Sequence, residues 1–111
     1  MVGSPPAHAW WVPGRLEVFG KHTDYAGGRT LVAAVPRGMA VVAGPRTDGA
    51  LTVTDARTGE RCTIDPSDPP APFTGWRSYA GVALQRLARN FPGSDISGDI
   101  VFASDLPVAA G

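Results

Sequence analysis

The chain has a single cysteine, Cys62, so no disulfide can close within its 111 residues. It has no excess charge of either sign, because ten Lys and Arg are matched by ten Asp and Glu. That balance argues against a nucleic-acid or anionic-membrane surface, each of which needs a basic excess. No apolar run approaches the roughly 18 residues of a membrane-spanning helix. The first residues lack the charged-then-apolar layout of a secretion leader. With an unpaired cysteine, these absences place the expected location in the cytoplasm. No Gly-Lys-(Ser/Thr) triplet occurs, which excludes a Walker-type phosphate loop. Internal repeats and low-complexity tracts are also missing. Aromatic residues make up 8% of the chain, and no basic stripe accompanies Trp10, Trp11 and Trp76. Those side chains suit a core or an interface better than a base-stacking platform.

What is present begins with a loose end over residues 1–9, which includes Ser4-Pro5-Pro6. Trp10 to Phe19 reads as a strand interrupted at Pro13-Gly14. Beyond that break, Leu16 and Val18 point one way and Arg15 and Glu17 the other. Gly20 to Gly28 is a loop that gathers Lys21, His22 and Asp24 between glycines. Loops of this kind are placed where a polar ligand is gripped. Arg29 to Val35 and Met39 to Ala43 are apolar and strand-like. Thr47-Asp48-Gly49 is a turn signal, so Met39–Ala43 and Leu51–Thr54 are expected to pair as a hairpin. A second turn at Arg57–Glu60 leads to a short strand at Arg61–Ile64. Asp65 to Pro72 carries enough proline to be a loop.

The apolar period then changes. Trp76, Tyr79, Ala80, Ala83, Leu84, Leu87 and Phe91 recur at three- and four-residue spacing, which predicts an amphipathic helix over 73–91. Thr74 is the expected N-cap and Pro92-Gly93 the stop. Ile96 to Ala103 closes the series as a strand. Strands cluster early and one helix comes late, which indicates an α+β fold with a mostly antiparallel or mixed sheet covered on one face. Such a cover is incomplete, so apolar surface is expected to remain exposed around Val32, Val35, Val41 and Ile100.

Arg15, Asp24, His22 and Lys21 each admit two roles. The Arg15 guanidinium can hold a carboxylate ionised and stabilise phosphoryl oxygens, or it can form a salt bridge with Glu17 or Asp24. The Asp24 carboxylate can accept two hydroxyls of a polyol, or it can cap its own loop. His22 can bind a hydroxyl or brace the loop. Lys21 can meet a carboxylate or phosphate, or remain solvated. Gly27 and Gly28 let the backbone turn close to a ligand. Tyr25 is expected to pack, and His8 to lie on the surface.

Pro13, Gly14, Arg15, Gly20, His22, Asp24, Tyr25 and Gly28 together resemble the galactokinase signature, Pro-Gly-Arg-x-Asn-(Leu/Ile)-Ile-Gly-Glu-His-x-Asp-Tyr-x-x-Gly. Galactokinases belong to the GHMP superfamily of small-molecule kinases. The resemblance extends to Ser104–Gly111, which is similar to the approach to that superfamily's phosphate loop. It runs from about Trp11 to Gly111 and covers only the front of the family's length. It implies a GHMP-kinase fold (ribosomal protein S5 domain 2-like) over residues 10–111, incomplete at the phosphate loop. It also implies an ATP- and Mg²⁺-dependent transfer of the γ-phosphoryl group to an anomeric sugar hydroxyl. Arg15 would then serve catalysis, and Lys21, His22, Asp24, Gly27 and Gly28 would bind the sugar. Gly111 would begin the ATP phosphate site. The expected partners are a sugar, ATP and the remainder of a kinase chain, with no nucleic acid and no membrane. The 111 residues alone are expected to be inactive, since the phosphate loop and the catalytic base lie beyond them.

Two positions depart from the signature. Glu17 stands where Asn is usual, and Lys21 where Glu is usual. The charge reversal at Lys21 leaves open an acidic or phosphorylated sugar as the substrate. A non-catalytic sugar and ATP sensor on the same fold, and a plain α+β interaction domain, also remain open.

Overall fold

A computed structural model describes residues 6–65 and 74–107. Strand β1 spans His8–Phe19, and a 3₁₀ turn covers Asp24–Ala26. Strands β2 (Leu31–Gly44), β3 (Leu51–Asp55) and β4 (Arg61–Ile64) follow. Helix α1 covers Trp76–Asn90, and strand β5 covers Gly98–Ser104. The five strands form one sheet in the order β1-β2-β5-β3-β4. The β3–β5 pair is parallel and the other three are antiparallel. The α+β expectation with a mixed sheet and one helix therefore holds.

β1 begins two residues before the expected Trp10 and is not broken at Pro13-Gly14. Its register shifts there instead, between Pro13 and Arg15. Gly38, the partner of Pro13, spends its N–H on Asp105 Oδ1 (2.7 Å) and its carbonyl on the N–H of Asp105 (3.2 Å). Both bonds point toward β5, so Pro13 needs no N–H toward β2 and sits at an outer edge. On β2, Pro36 falls among residues with no registered partner on β1 or β5, so the two expected apolar segments become one strand of 14 residues.

The expected hairpin between Met39–Ala43 and Leu51–Thr54 does not form. β5 lies between them, bonded to β2 on one side and β3 on the other. The near-continuous apolar run Ile100–Ala103 suits a central strand, which is covered on both sides by neighbours. The 44–51 connection is shaped by charge as well. Arg46 Nη1 reaches Asp99 Oδ1 on β5 at 2.9 Å, and the same guanidinium forks onto Asp48. Ser97 Oγ donates to the Arg46 carbonyl at 2.9 Å.

The Arg46 fork, aided by the N–H of Ala50, holds the Asp48 carboxyl well below the usual carboxylate range. Since the folded carboxyl is more acidic than the unfolded one, its contribution is fully present above the ordinary Asp pKa. It fades only as pH falls toward the depressed folded value. Asp48→Asn is therefore expected to lower stability at neutral pH and to make no difference in strong acid. Denaturant midpoints of both proteins across that range check it; a gap that persists undiminished in strong acid would contradict the assignment.

Helix α1 docks on one face of the sheet through Leu84, which is 2% exposed. Leu84 packs with buried Cys62 and Ile64, flanked by Leu51, Trp76, Ala80 and Ile96. The Trp76 ring meets Phe102 of β5 edge to face at 5.2 Å. Its Nε1–H donates to Glu60 Oε2 at 2.8 Å. The expected helical stripe is only partly buried, because Tyr79, Leu87 and Phe91 stand exposed. Gly75 rather than Thr74 occupies the N-cap, and no side chain caps the helix there. The positive φ of Gly75 turns the chain so sharply that Thr74 is not the capping residue. The proline-rich loop expected over 65–72 falls, apart from Asp65, outside the described residues.

Away from α1, the β1–β2 ribbon exposes Trp10, Trp11, Leu16, Phe19, Leu31 and Val32. Exposure at Val32 agrees with expectation, while Val35, Val41 and Ile100 are half-buried. Trp10 and Trp11 are not core residues; the former stacks on the exposed His8 ring.

Candidate functional site

The loop between β1 and β2 owes its shape to Thr23. Its N–H donates to the Gly20 carbonyl at 3.1 Å. Its Oγ1 lies 2.7 Å from the same carbonyl oxygen and 3.2 Å from the Arg29 carbonyl oxygen. Its own carbonyl accepts the N–H groups of Ala26 (3.1 Å) and Gly28 (2.8 Å). One residue thus ties both ends of the loop together. The sequence reading passed over Thr23. Its signal was a hydroxyl set among glycines, where such side chains bond local backbone rather than extend a strand.

Two glycines are required by this closure. Gly20 has φ +92°, and a Cβ there would lie 2.5 Å from the Arg29 carbonyl oxygen. A Cβ on Gly28 would lie 2.7 Å from the Thr23 Cβ. Gly27 differs, with a positive φ and open space around it. The loop therefore approaches itself at Gly28 and faces outward at Gly27.

The predicted polar residues lie on β1 and in this loop. Arg15 and Glu17 occupy β1 opposite Ala34 and Val32, and both are exposed. They form no ion pair with each other. Among the described residues, Arg15 has no hydrogen-bond or ion-pair partner, and neither has Lys21. Asp24 opens the 3₁₀ turn. His22 holds φ +62°, uncommon for a residue with a side chain, and its ring stacks on Tyr25 at 5.9 Å and 13°. Tyr25 is 84% exposed, so beyond this stacking it does not take the packing role expected of it.

Leu106, just past β5, lies against Gly14 together with the Val35 side chain. The backbone leaving β5 therefore passes beside the residue that precedes Arg15. Gly111, the expected start of a phosphate site, lies outside the described residues. No cluster of three His, Cys, Asp or Glu able to hold a metal occurs among the described residues. No helix there is long and apolar enough to cross a membrane.

Residues 1–45 match the galactokinase galactose-binding signature. The match ends just after β2, so it frames the ribbon and its braced loop. The chain is galactokinase-like. It is 32% identical over 106 residues to the galactokinase of Mycobacterium tuberculosis, covering 93% of this chain and 28% of that protein. It is 29% identical to the galactokinase of Actinobacillus pleuropneumoniae, over 98% of this chain and 29% of the relative. The chain thus spans less than a third of the curated relatives it matches. Its fold is that of the GHMP kinases. It superposes on the Lactococcus lactis galactokinase complexed with galactose with a TM-score of 0.72, at 23% identity, over 90% of this chain and 26% of that one. The Methanococcus jannaschii mevalonate kinase gives 0.71 at 16% identity, over 100% of this chain and 36% of that one. Two such different kinases share the sheet and helix, while the signature match is specific to the β1–β2 segment.

Proposed function

We propose that this galactokinase-like chain supplies the sugar-binding portion of an ATP-dependent sugar kinase that phosphorylates an anomeric hydroxyl. The observation that carries the reading is the coincidence of the signature with a loop that is braced internally yet leaves polar side chains free. Thr23 satisfies the loop's backbone, so Lys21 and Arg15 are not consumed in holding it. Asp24 would accept sugar hydroxyls, with His22 and the backbone of Gly27 and Gly28 completing the grip. Arg15 would hold a carboxylate base ionised and draw charge from the phosphoryl group in transfer. ATP with Mg²⁺ would supply that group. The unpaired Arg15 guanidinium fits an anion beside it, and Gly111 would begin the loop facing the ATP phosphates. Among the described residues no three His, Cys, Asp or Glu side chains gather to hold a metal, so Mg²⁺ would be carried chiefly by the ATP phosphates.

A second reading rests on Lys21. A cation where a carboxylate is usual favours a sugar that bears a carboxylate or phosphate. One experiment separates the two. Galactose and galacturonate are titrated into the chain, and amide shifts of residues 21–28 are followed. Asp24→Ala is expected to weaken either sugar by about 1.5–3 kcal/mol, the range for a hydrogen bond to a charged group. Lys21→Glu is expected to favour galactose over galacturonate. Shifts spread evenly over the chain, or none in the loop with either sugar, would defeat the proposal.

A further inference from the structure

We propose that the sheet face turned away from α1 carries a binding groove for a small phosphate monoester borne on a ring. The row Trp10–Val41–Phe102 faces the helix, since Phe102 packs on Trp76. Side chains alternate along a strand, so the next row, Trp11–Ala40–Ala103, faces the other way. Two alanines there form a low floor between taller neighbours. Trp11 makes one wall and Arg57 the other, with Arg37 and Asp105 at the end. The groove is shallow and open, with a volume of about 650 Å³.

The walls are set in place rather than loosely disposed. Trp11 lies across Gly38, where a Cβ would come within 2.9 Å of its Cζ2. The ring is nevertheless 56% exposed. Arg57 Nη1 donates to the Ser104 carbonyl on β5, which draws its guanidinium over the floor. Asp105 Oδ1 accepts the N–H of Gly38. No carboxylate among the described residues pairs with Arg37 or Arg57. Two guanidinium groups outside any ion pair, with the Asp105 carboxylate of the same lining engaged by the Gly38 N–H, fit a phosphate, which accepts charge-assisted bonds from their planar forks. An exposed indole beside an apolar floor fits the flat or CH-rich face of a ring. A neutral sugar would need neither arginine. A polynucleotide would need a basic surface far larger than this electroneutral chain provides.

Nucleotides and sugar phosphates share this chemistry, and a titration distinguishes them. The chain is titrated with adenosine monophosphate, a hexose phosphate and inorganic phosphate, following the Trp11 indole and the amides of Ala40 and Ala103. At least one ring-bearing ester is expected to shift these signals and to bind roughly tenfold tighter than inorganic phosphate. Whichever ester binds tighter names the source. Trp11→Ala is expected to reduce the ester to the level of inorganic phosphate. Arg37→Gln, at an exposed side chain, is expected to weaken it by about tenfold. The loop amides of residues 21–28 report sugar binding separately, so either proposal can fail alone. The groove assignment is overturned if no ester binds there, if Arg37→Gln and Trp11→Ala bind as well as the parent, or if oligonucleotides bind more tightly with every added residue.

Discussion

Leu84→Ala is expected to cost about 2–5 kcal/mol, enough to unfold much of the chain at ordinary temperature. Leu84 is the deepest apolar side chain of α1 and packs directly with Cys62 and Ile64. Few other contacts share that load. Among the described residues, the buried apolar side chains besides Leu84 are Val53, Cys62 and Ile64, all on two adjacent strands. Deleting three heavy atoms at the centre leaves a cavity that a thin layer cannot fill without moving the helix. Leu87→Ala is the control. Leu87 is 47% exposed on the same helix, so its truncation should cost less than half as much. Urea midpoints of the three proteins decide the matter. A Leu84→Ala protein within about 1 kcal/mol of the parent would mean that α1 does not anchor the sheet.

Gly20→Ala should disable the braced loop while leaving the helix and central strands in place. The substitution meets two obstacles at once. Its backbone conformation is unfavourable to an L side chain by about 1–2 kcal/mol, and the new methyl would press on the Arg29 carbonyl oxygen. That oxygen and the Gly20 carbonyl are the two anchors of Thr23. Relief requires the loop to open, so fast amide exchange should appear at Thr23, Ala26 and Gly28. Exchange in α1 and β5 should be unchanged. Any sugar-induced shift in the loop should vanish with it. Gly27→Ala supplies the contrast, because its Cβ would meet nothing. It should retain the Thr23 bonds at only the modest cost of its positive φ. Equal exchange rates at Thr23 in Gly20→Ala and the parent would show that the loop is not held by this closure.

The elements were largely readable in the sequence because each carried its own period. Three- and four-residue spacing marked α1, and short alternating runs marked β3 and β4. The order of strands was not readable. Nothing in Met39–Gly44 or Leu51–Asp55 announces that Gly98–Ser104 will come between them. That choice is made by long-range pairing and by the Arg46–Asp99 contact, which no local pattern records. The signature marked the loop from Gly20 to Gly28, yet its organiser, Thr23, stood outside the residues that drew attention. A brace is a matter of where a hydroxyl points, and residue type alone does not state it. The Trp76–Glu60 contact and the Trp11 row were hidden for the same reason. Each joins residues on neighbouring elements, and only the register reveals it.

The place of β5 bears on how the molecule comes into being. Without Gly98–Ser104 the sheet is two disconnected hairpins, one from His8 to Gly44 and one from Leu51 to Ile64. β5 is thus the keystone of the sheet, and a ribosome must deliver it before the halves can be joined. Until that moment both open margins stand as ready templates for the wrong strand, which makes synthesis, more than the finished state, the interval when a chaperone would matter most.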